Sequence, residues 1–311
     1  MHQEYELISY PKLRHIHIFI DELTYRSPHL HGDYEICFAL QGNAHFLGLG
    51  QSLFLQKKEA IFFDSNEVHS IISQEGPLIG LFVQVSSNFL QDYLPELHGK
   101  RYRNANMIEA LGEERLADYY QKALETAKDF FAEVEGYRVK TFAFVLSLIS
   151  DLFSALPYDE LTQRDKENRN RHAERLKRIL DYIDAHHSER ISLSEVASME
   201  SITPTHLSHL FSEGLGISFQ DYLSERRLET ALHLLRNSEK GVIEIALEAG
   251  FSDPKYLSRL CKERFHCPPG KLFGSGSNTL GTPLTQKGFV MERIYDKEES
   301  LAFLSSINAS Q

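Results

Sequence analysis

The second half of the chain repeats itself. Residues 194–211 read SEVASMESITPTHLSHLF and residues 244–261 read EIALEAGFSDPKYLSRLC. Ala197 matches Ala246, Ser201 matches Gly250 and Thr203 matches Ser252 at a separation of 49. After one inserted residue, Leu207 matches Leu257, Ser208 matches Ser258 and Leu210 matches Leu260 at 50. Self-similarity of this length marks one supersecondary unit used twice. Each copy has the parts of two short helices meeting at a sharp turn. A small residue, Ala197 or Ala246, sits where the helices must cross closely, and four residues on comes the turn. Gly250 suits a positive φ because it has no Cβ, whereas Ser201 there costs about 1 kcal/mol. The next helix opens on a cap: Thr203 before Pro204 in the first copy, Ser252 before Asp253 in the second. Ser192 and Glu195 have the spacing of a capping box for the first copy's leading helix.

Between the copies, Phe219, Tyr222, Leu223, Leu228, Ala231, Leu232 and Leu235 recur at helical spacing, so 218–237 reads as one long helix. Twenty residues span about 30 Å. That is close to the ~34 Å that separates successive major-groove faces of B-DNA. The connection therefore suits two recognition helices set one turn apart on a duplex.

With these motifs in view, residues 173–273 resemble the paired helix-turn-helix domain of AraC/XylS-type transcription regulators. The resemblance is carried by Ile245-Ala246, Gly250-Phe251-Ser252-Asp253-Pro254, Tyr256-Leu257-Ser258-Arg259 and Pro269, and in the first copy by Leu193, Ala197, Leu207, Phe211, Gly216, Arg227 and Leu228. Cys261, His266 and Phe273 depart from the family's usual Phe, Gly and Arg. The resemblance implies that DNA is read by Thr205, Ser208 and His209 in the first unit and by Lys255, Ser258 and Arg259 in the second. An Arg at 259 has the bidentate fork that matches guanine O6 and N7, and Lys262 suits a phosphate, which positions without specifying. The first recognition helix holds no Lys or Arg, only His206 and His209.

The N-terminal half has a different period. Runs such as 16–20, 34–40, 60–63, 68–72 and 78–85 are short, apolar and separated by polar turns, which predicts strands of a small barrel or sandwich. His29-x-His31-x3-Glu35-x6-Gly42, with His69 later, resembles the cupin signature. His29 and His31 share a strand face, since alternate residues point the same way. The resemblance implies that His29, His31, Glu35 and His69 line a small-molecule effector pocket. No cofactor is required by this reading. Structural polar residues at the barrel mouth and a bound metal on the same four residues are the alternatives, the latter because three imidazoles and a carboxylate suit Fe, Mn, Ni or Zn. Tyr5, Tyr10, His15 and His17 are placed for an arm over the pocket.

From 107 to 156 the period is helical. Phe142, Val145, Ile149, Leu152 and Leu156 form a 3,4 seam that reads either as a dimer helix or as an ordinary buried one, with Phe144 and Leu148 left to pack on the strands. Residues 157–172 are charge-rich and read as a linker. The tail carries apolar patches at 289–295 and 301–307 and has no assigned role.

The fold class expected is therefore α+β: a cupin-like β-barrel (1–104), a helical dimerisation segment (105–156), a linker (157–172), an all-α domain with two helix-turn-helix units (173–273) and an extension (274–311). The partners implied are double-stranded promoter DNA, a small molecule such as a sugar or related metabolite, a second copy of the chain and, for an activator, RNA polymerase. The rival is a cupin metalloenzyme with an appended helical domain, which leaves the repeat unexplained. No Gly-rich phosphate loop or nucleophile elbow appears.

Charge limits these readings. The chain holds 33 Lys+Arg against 44 Asp+Glu, a net −11, which excludes a nonspecific nucleic-acid coat. Residues 173–273 hold 13 against 15, so most of the acidity lies elsewhere. Three Cys fit a reducing compartment. The polar N-terminus carries no signal-peptide core, and the longest apolar run, 141–156, holds Asp151 and is shorter than the ~20 residues of a membrane span. The expectation is a cytoplasmic protein without a membrane partner.

Overall fold

The computed structural model describes residues 12–29, 31–48, 51–73, 76–94, 97, 99–214, 217–272 and 292–308. Eight strands open the fold: β1 (Ile16–Leu23), β2 (Tyr25–His29), β3 (Asp33–Gln41), β4 (Asn43–Gly48), β5 (Gln51–Gln56), β6 (Ala60–Phe63), β7 (His69–Ile72) and β8 (Leu78–Ser86). With β10 (Ala105–Asn106) and β12 (Arg293–Ile294) they form a six-stranded sheet, β10-β6-β3-β8-β1-β12, and a four-stranded sheet, β2-β7-β4-β5.

Alternation along the strands explains how the larger sheet is buried on both sides. Ile36, Phe38 and Leu40 join Ile18, Ile20, Leu81 and Val83 in a core shared with helices. Cys37 and Ala39 join Phe19, Leu23, Phe82, and Phe46, Leu55 and Ile71 of the smaller sheet in a second core between the sheets. A sheet covered on both faces needs near-continuous apolar strands, which is how β3 and β8 read. Among the described residues no ladder joins the two sheets, so the expected barrel is an open two-sheet stack. Burying the facing sides against each other satisfies the apolar pattern without closure.

The helical face of the large sheet is covered by α2 (Met107–Leu111), α3 (Glu113–Ala132) and α4 (Tyr137–Ala155). Val145, Ile149, Leu152 and Leu156 are all buried inside this chain, and Phe142 is partly so. The 3,4 seam is thus spent on the chain's own core and is not left for a partner. A two-helix cover over a sheet needs the same periodicity as a dimer seam, and periodicity alone does not separate them.

The charged stretch 157–172 is not an open linker. Its start, β11 (Tyr158–Glu160), pairs with β9 (Lys100–Tyr102). Its remainder begins α5 (Gln163–His186), opened by a capping box in which Thr162 and Asp165 exchange hydrogen bonds. The tail also returns to the N-terminal sheets. Residues 273–291 lie outside the described residues, but β12 pairs with β1, and α11 (Lys297–Asn308) packs on α3 with Leu304 buried. Among the described residues no helix is long and apolar enough to cross a membrane.

The remaining helices are α6 (Leu193–Met199), α7 (Pro204–Gly214), α8 (Phe219–Asn237), α9 (Val242–Glu248) and α10 (Pro254–Phe265), followed by a 3-10 turn at Pro269–Lys271. They enclose two cores. Leu180, Val196, Leu207 and Phe211 form the first, and Ile245, Leu257, Leu260 and Phe265 the second. Helix α8 serves both, through Phe219, Tyr222 and Leu223 at one end and Leu228, Ala231 and Leu232 at the other.

Candidate functional site

The two repeats fold into helix pairs of one build, α6–α7 and α9–α10. Their turns agree to the residue. Ser201 (φ 54) and Gly250 (φ 94) both take a left-handed conformation. Ile202 N–H donates to the Ala197 carbonyl at 3.0 Å, and Phe251 N–H donates to that of Ala246 at 2.9 Å. The caps differ from expectation. Thr203 caps α7 by accepting from His206 N–H at 3.1 Å, whereas α10 is capped by Asp253, not Ser252, with Pro254 following. The one-residue insertion in the second copy is therefore Ser252, within the turn. Asp caps as well as Ser, and the register of the following apolar residues selects it.

Leu207, Leu210 and Phe211 face inward on α7, leaving Thr205, Ser208 and His209 exposed on its outer side. On α10, Leu257, Leu260, Cys261 and Phe265 are buried, while Lys255, Arg259 and Lys262 are exposed and Ser258 is half-buried beside them. The Arg259 guanidinium lies 4.3 Å above the Tyr256 ring, and its Nε is 3.7 Å from a Glu263 carboxylate oxygen. Stacking on an aromatic one turn earlier narrows the arc over which the fork can swing. Cys261 and Cys267 are free thiols, and burial pushes Cys261 up to about 12, which suits packing and not redox chemistry.

The second grouping lies between the sheets. His29 ends β2, His31 precedes β3, Glu35 is on β3 and His69 begins β7, and all four are buried. The structure brings all four together. One ring nitrogen from each histidine lies within 4.8 Å of the others. Nε2 of His31 is 3.1 Å from one Glu35 oxygen, and Nε2 of His69 is 3.3 Å from the other.

The opposite ring nitrogens decide the tautomers. Nδ1 of His31 lies 3.0 Å from the Asp33 carbonyl oxygen and Nδ1 of His69 lies 3.1 Å from that of Glu67. A carbonyl only accepts, so both Nδ1 atoms donate, and in neutral rings both Nε2 atoms present lone pairs. Two lone pairs then face the two oxygens of one carboxylate, an arrangement that needs a proton or a cation between them. Burial pushes the Glu35 carboxyl up, but protonated His31 and His69 rings donating from Nε2 outweigh it and hold it well below the usual range. Burial, with Arg26 and His69 nearby, holds His29 well below the usual imidazole range. In place of those protons the donor set also fits a transition-metal ion: three imidazole nitrogens and a carboxylate, with outer hydrogen bonds that pin the His31 and His69 rings.

Sequence reasoning missed two members of this site. Gln84 Nε2 donates to Glu35 at 2.8 Å, and the Phe63 ring stacks on His69 at 4.3 Å. A lone Gln in the otherwise apolar run LIGLFVQVS was the available signal. The proposed arm is only partly visible. Tyr5 and Tyr10 lie outside the described residues, His15 stacks on Phe89, and His17 Nδ1 is 3.3 Å from the Gln84 side-chain oxygen. The three histidine rings of the cluster lie at centroid distances of 4.3–6.1 Å from one another. A cavity of about 410 Å3 lies elsewhere, between β2, α5 and α8, lined by Tyr25, Arg26, His187, Arg226, Arg236 and Glu292 among others.

Comparison with known proteins supports the helical half most directly. A family described as "Helix-turn-helix domain" matches residues 196–275. The HTH-type transcriptional regulator YfiF of Bacillus subtilis is 27% identical over 252 residues, covering 78% of this chain and 77% of that one. An HTH-type transcriptional regulator of Staphylococcus aureus is 22% identical over 77% of this chain, and the chain spans only 31% of that relative's length. Among solved structures, the C-terminal domain of the response regulator yesN from Fusobacterium nucleatum is 30% identical, covers 31% of this chain and 94% of its own, and has a TM-score of 0.30. ToxT from Vibrio cholerae covers 83% of this chain at 14% identity, with a TM-score of 0.47.

Proposed function

Because the chain belongs to the AraC-type helix-turn-helix transcription regulators, we propose that it reads promoter DNA through the outer faces of α7 and α10 and responds to an effector bound between its N-terminal sheets. Its relatives are named as regulators and not enzymes, which removes the metalloenzyme reading. The observation that carries the proposal is α10: a capped helix behind a left-handed turn, buried on one side and presenting Lys255, Arg259 and Lys262 on the other. Thr205, Ser208 and His209 occupy the same outward position on α7, so α7 and α10 act as the second helices of two helix-turn-helix units. The absence of Lys and Arg from that face of α7 makes the second unit the stronger binder. The reading helices then depend on a second copy of the chain for affinity, and activation proceeds by contact with RNA polymerase.

At the effector end, the geometry of His29, His31, Glu35 and His69 favours an ion. A divalent transition metal held there would cross-link β2, β3 and β7. The cupin-like character of the region rests on this cluster, placed between two sheets. The test is titration of the full-length protein onto DNA from upstream of its own gene, with and without Zn2+. Sequence-selective binding that Zn2+ shifts is the expected result. Equal binding to unrelated DNA overturns the DNA reading, and indifference to Zn2+ overturns the ion reading.

A further inference from the structure

Strands β2 and β7 form the edge ribbon of the smaller sheet, with β4 paired on the other side of β7, and the ribbon is unusual in where its two ends go. At one end, His29 is paired with His69, and their rings lie 4.3 Å apart inside the buried cluster. At the other end, Tyr25 is paired with Ile72, and both side chains are buried in the core of the second helix pair, together with Leu228, Leu257 and Phe265. Four residues of extended chain, about 13 Å, separate the ends.

The contacts at the far end are specific. The buried Tyr25 hydroxyl donates to one oxygen of Glu225 on α8, and Arg264, near the end of α10, donates through Nε to the other at 3.0 Å. The Tyr25 ring meets Phe265 edge-on at 5.7 Å. Glu225 is itself buried, so this carboxylate has its charge met by Arg264 and a lone pair met by Tyr25. The residue before His69, Val68, is buried in the core of the first helix pair. The ribbon is thus inserted into the second helical core, and the residue that leads into β7 into the first. Between its ends the ladder shifts register by one residue between Arg26 and His29, a bulge that bends the strand on its way from one end to the other.

We propose that the β2–β7 ribbon is the element through which the histidine cluster acts on DNA binding, by setting how α10 is held relative to α7. This rests on the reading of the cluster as the effector end. An occupant that draws His29 and His69 together moves the ribbon. The ribbon carries Tyr25 and Ile72 with it, and the Tyr25–Glu225–Arg264 contact transmits the shift to the end of the second recognition helix. Helix α10 contributes its outer face to DNA and its inner face to the ribbon, so the two contacts are linked without competing for the same side chains. An effector changes the equilibrium only by as much as it prefers one ribbon position over the other.

The test uses the full-length protein and four forms: wild type, His69→Gln, Tyr25→Phe and the double variant. Two quantities are read, the affinity for upstream DNA and the hydrogen-exchange protection of amides in 219–232 and 254–265. His69→Gln is expected to change DNA affinity by about fivefold or more when Tyr25 is present, and by less than about twofold in the Tyr25→Phe background. It is also expected to alter exchange in 254–265 only when Tyr25 is present. Equal effects of His69→Gln in both backgrounds overturn the proposal, as does unchanged exchange in 254–265. If no form binds DNA selectively, the functional reading fails, and the exchange result still decides the ribbon. Calorimetric titration with Zn2+ decides the ion reading separately. Should His69→Gln fail to fold, His29→Gln takes its place with the same expected outcomes.

Discussion

Gly250 rests directly on the backbone of His187. A Cβ placed on Gly250 would stand 2.7 Å from the His187 carbonyl oxygen and 2.7 Å from Ser188 Cα. The same carbonyl accepts from Arg227 Nε at 2.7 Å, so it cannot easily retreat. Gly250→Ala adds this overlap to the cost of a left-handed backbone and is expected to destabilise by about 3 kcal/mol in urea unfolding. Ser201→Gly, at the equivalent turn, is expected to change stability by less than about 1 kcal/mol. Equal costs at the two positions would refute the close-approach explanation.

Arg259 tests base reading. Arg259→Ala is expected to weaken binding to the preferred sequence by about 10- to 100-fold and to lower the ratio of specific to nonspecific affinity. Lys262→Ala is expected to weaken all sequences alike and to reduce the salt slope by about one. Competition titrations at several salt concentrations separate these two outcomes.

Asp21 gives a pH dependence. It is buried between β1 and the tail, and one of its oxygens accepts from Arg293 N–H at 3.0 Å. Burial first, then the nearby Glu292, raises its carboxyl well above the usual range. A folded-state pKa above the unfolded one means that the folded chain holds the proton more tightly. This contribution is fully present below the unfolded pKa of about 3.9 and is lost as pH rises through the folded value. Asp21→Asn removes the titration. The difference in unfolding free energy between variant and wild type is expected to grow in the variant's favour from acidic to neutral pH. A pH-independent difference would contradict the shift.

The tail is a structural part of the N-terminal half. Leu304 is fully buried against α3. Leu304→Ala is expected to cost about 2–5 kcal/mol, comparable to a central core position. Thermal unfolding followed by circular dichroism measures it, and a cost under about 0.5 kcal/mol would mean that α11 is not held there.

For the second copy proposed above, α4 offers an apolar face that the chain leaves uncovered. Val139 and Leu146 are 73% and 42% exposed, with Ala143 exposed between them. Leu146→Asp is expected to halve the mass in sedimentation while changing stability by less than about 0.5 kcal/mol. Ile149→Asp is expected to unfold the protein. A Leu146→Asp protein that stays dimeric places the interface elsewhere.

Much of this was legible in one dimension because it depends on local rules. The repeat, the left-handed turns at Ser201 and Gly250, and helix α8 follow from spacing, caps and backbone sterics within about twenty residues. Asp253 displaced Ser252 as cap because both residue types cap, and only the packing of Leu257 and Leu260 selects the register. The seam on α4 was ambiguous for a different reason. A stripe of Val145, Ile149 and Leu152 demands an apolar neighbour without saying which, and the large sheet supplies it.

Sequence alone determined the kinds of parts: strands then helices, a duplicated helical unit, and three histidines with a glutamate in cupin-like order. Tertiary structure alone decided where they meet. It placed Nε2 of His31 and His69 on opposite oxygens of Glu35, brought β12 back to β1 across 272 residues, and set Tyr25 against Glu225 across 200. Local propensity acts over a few residues. These contacts join chain segments that only burial of shared apolar surface brings together.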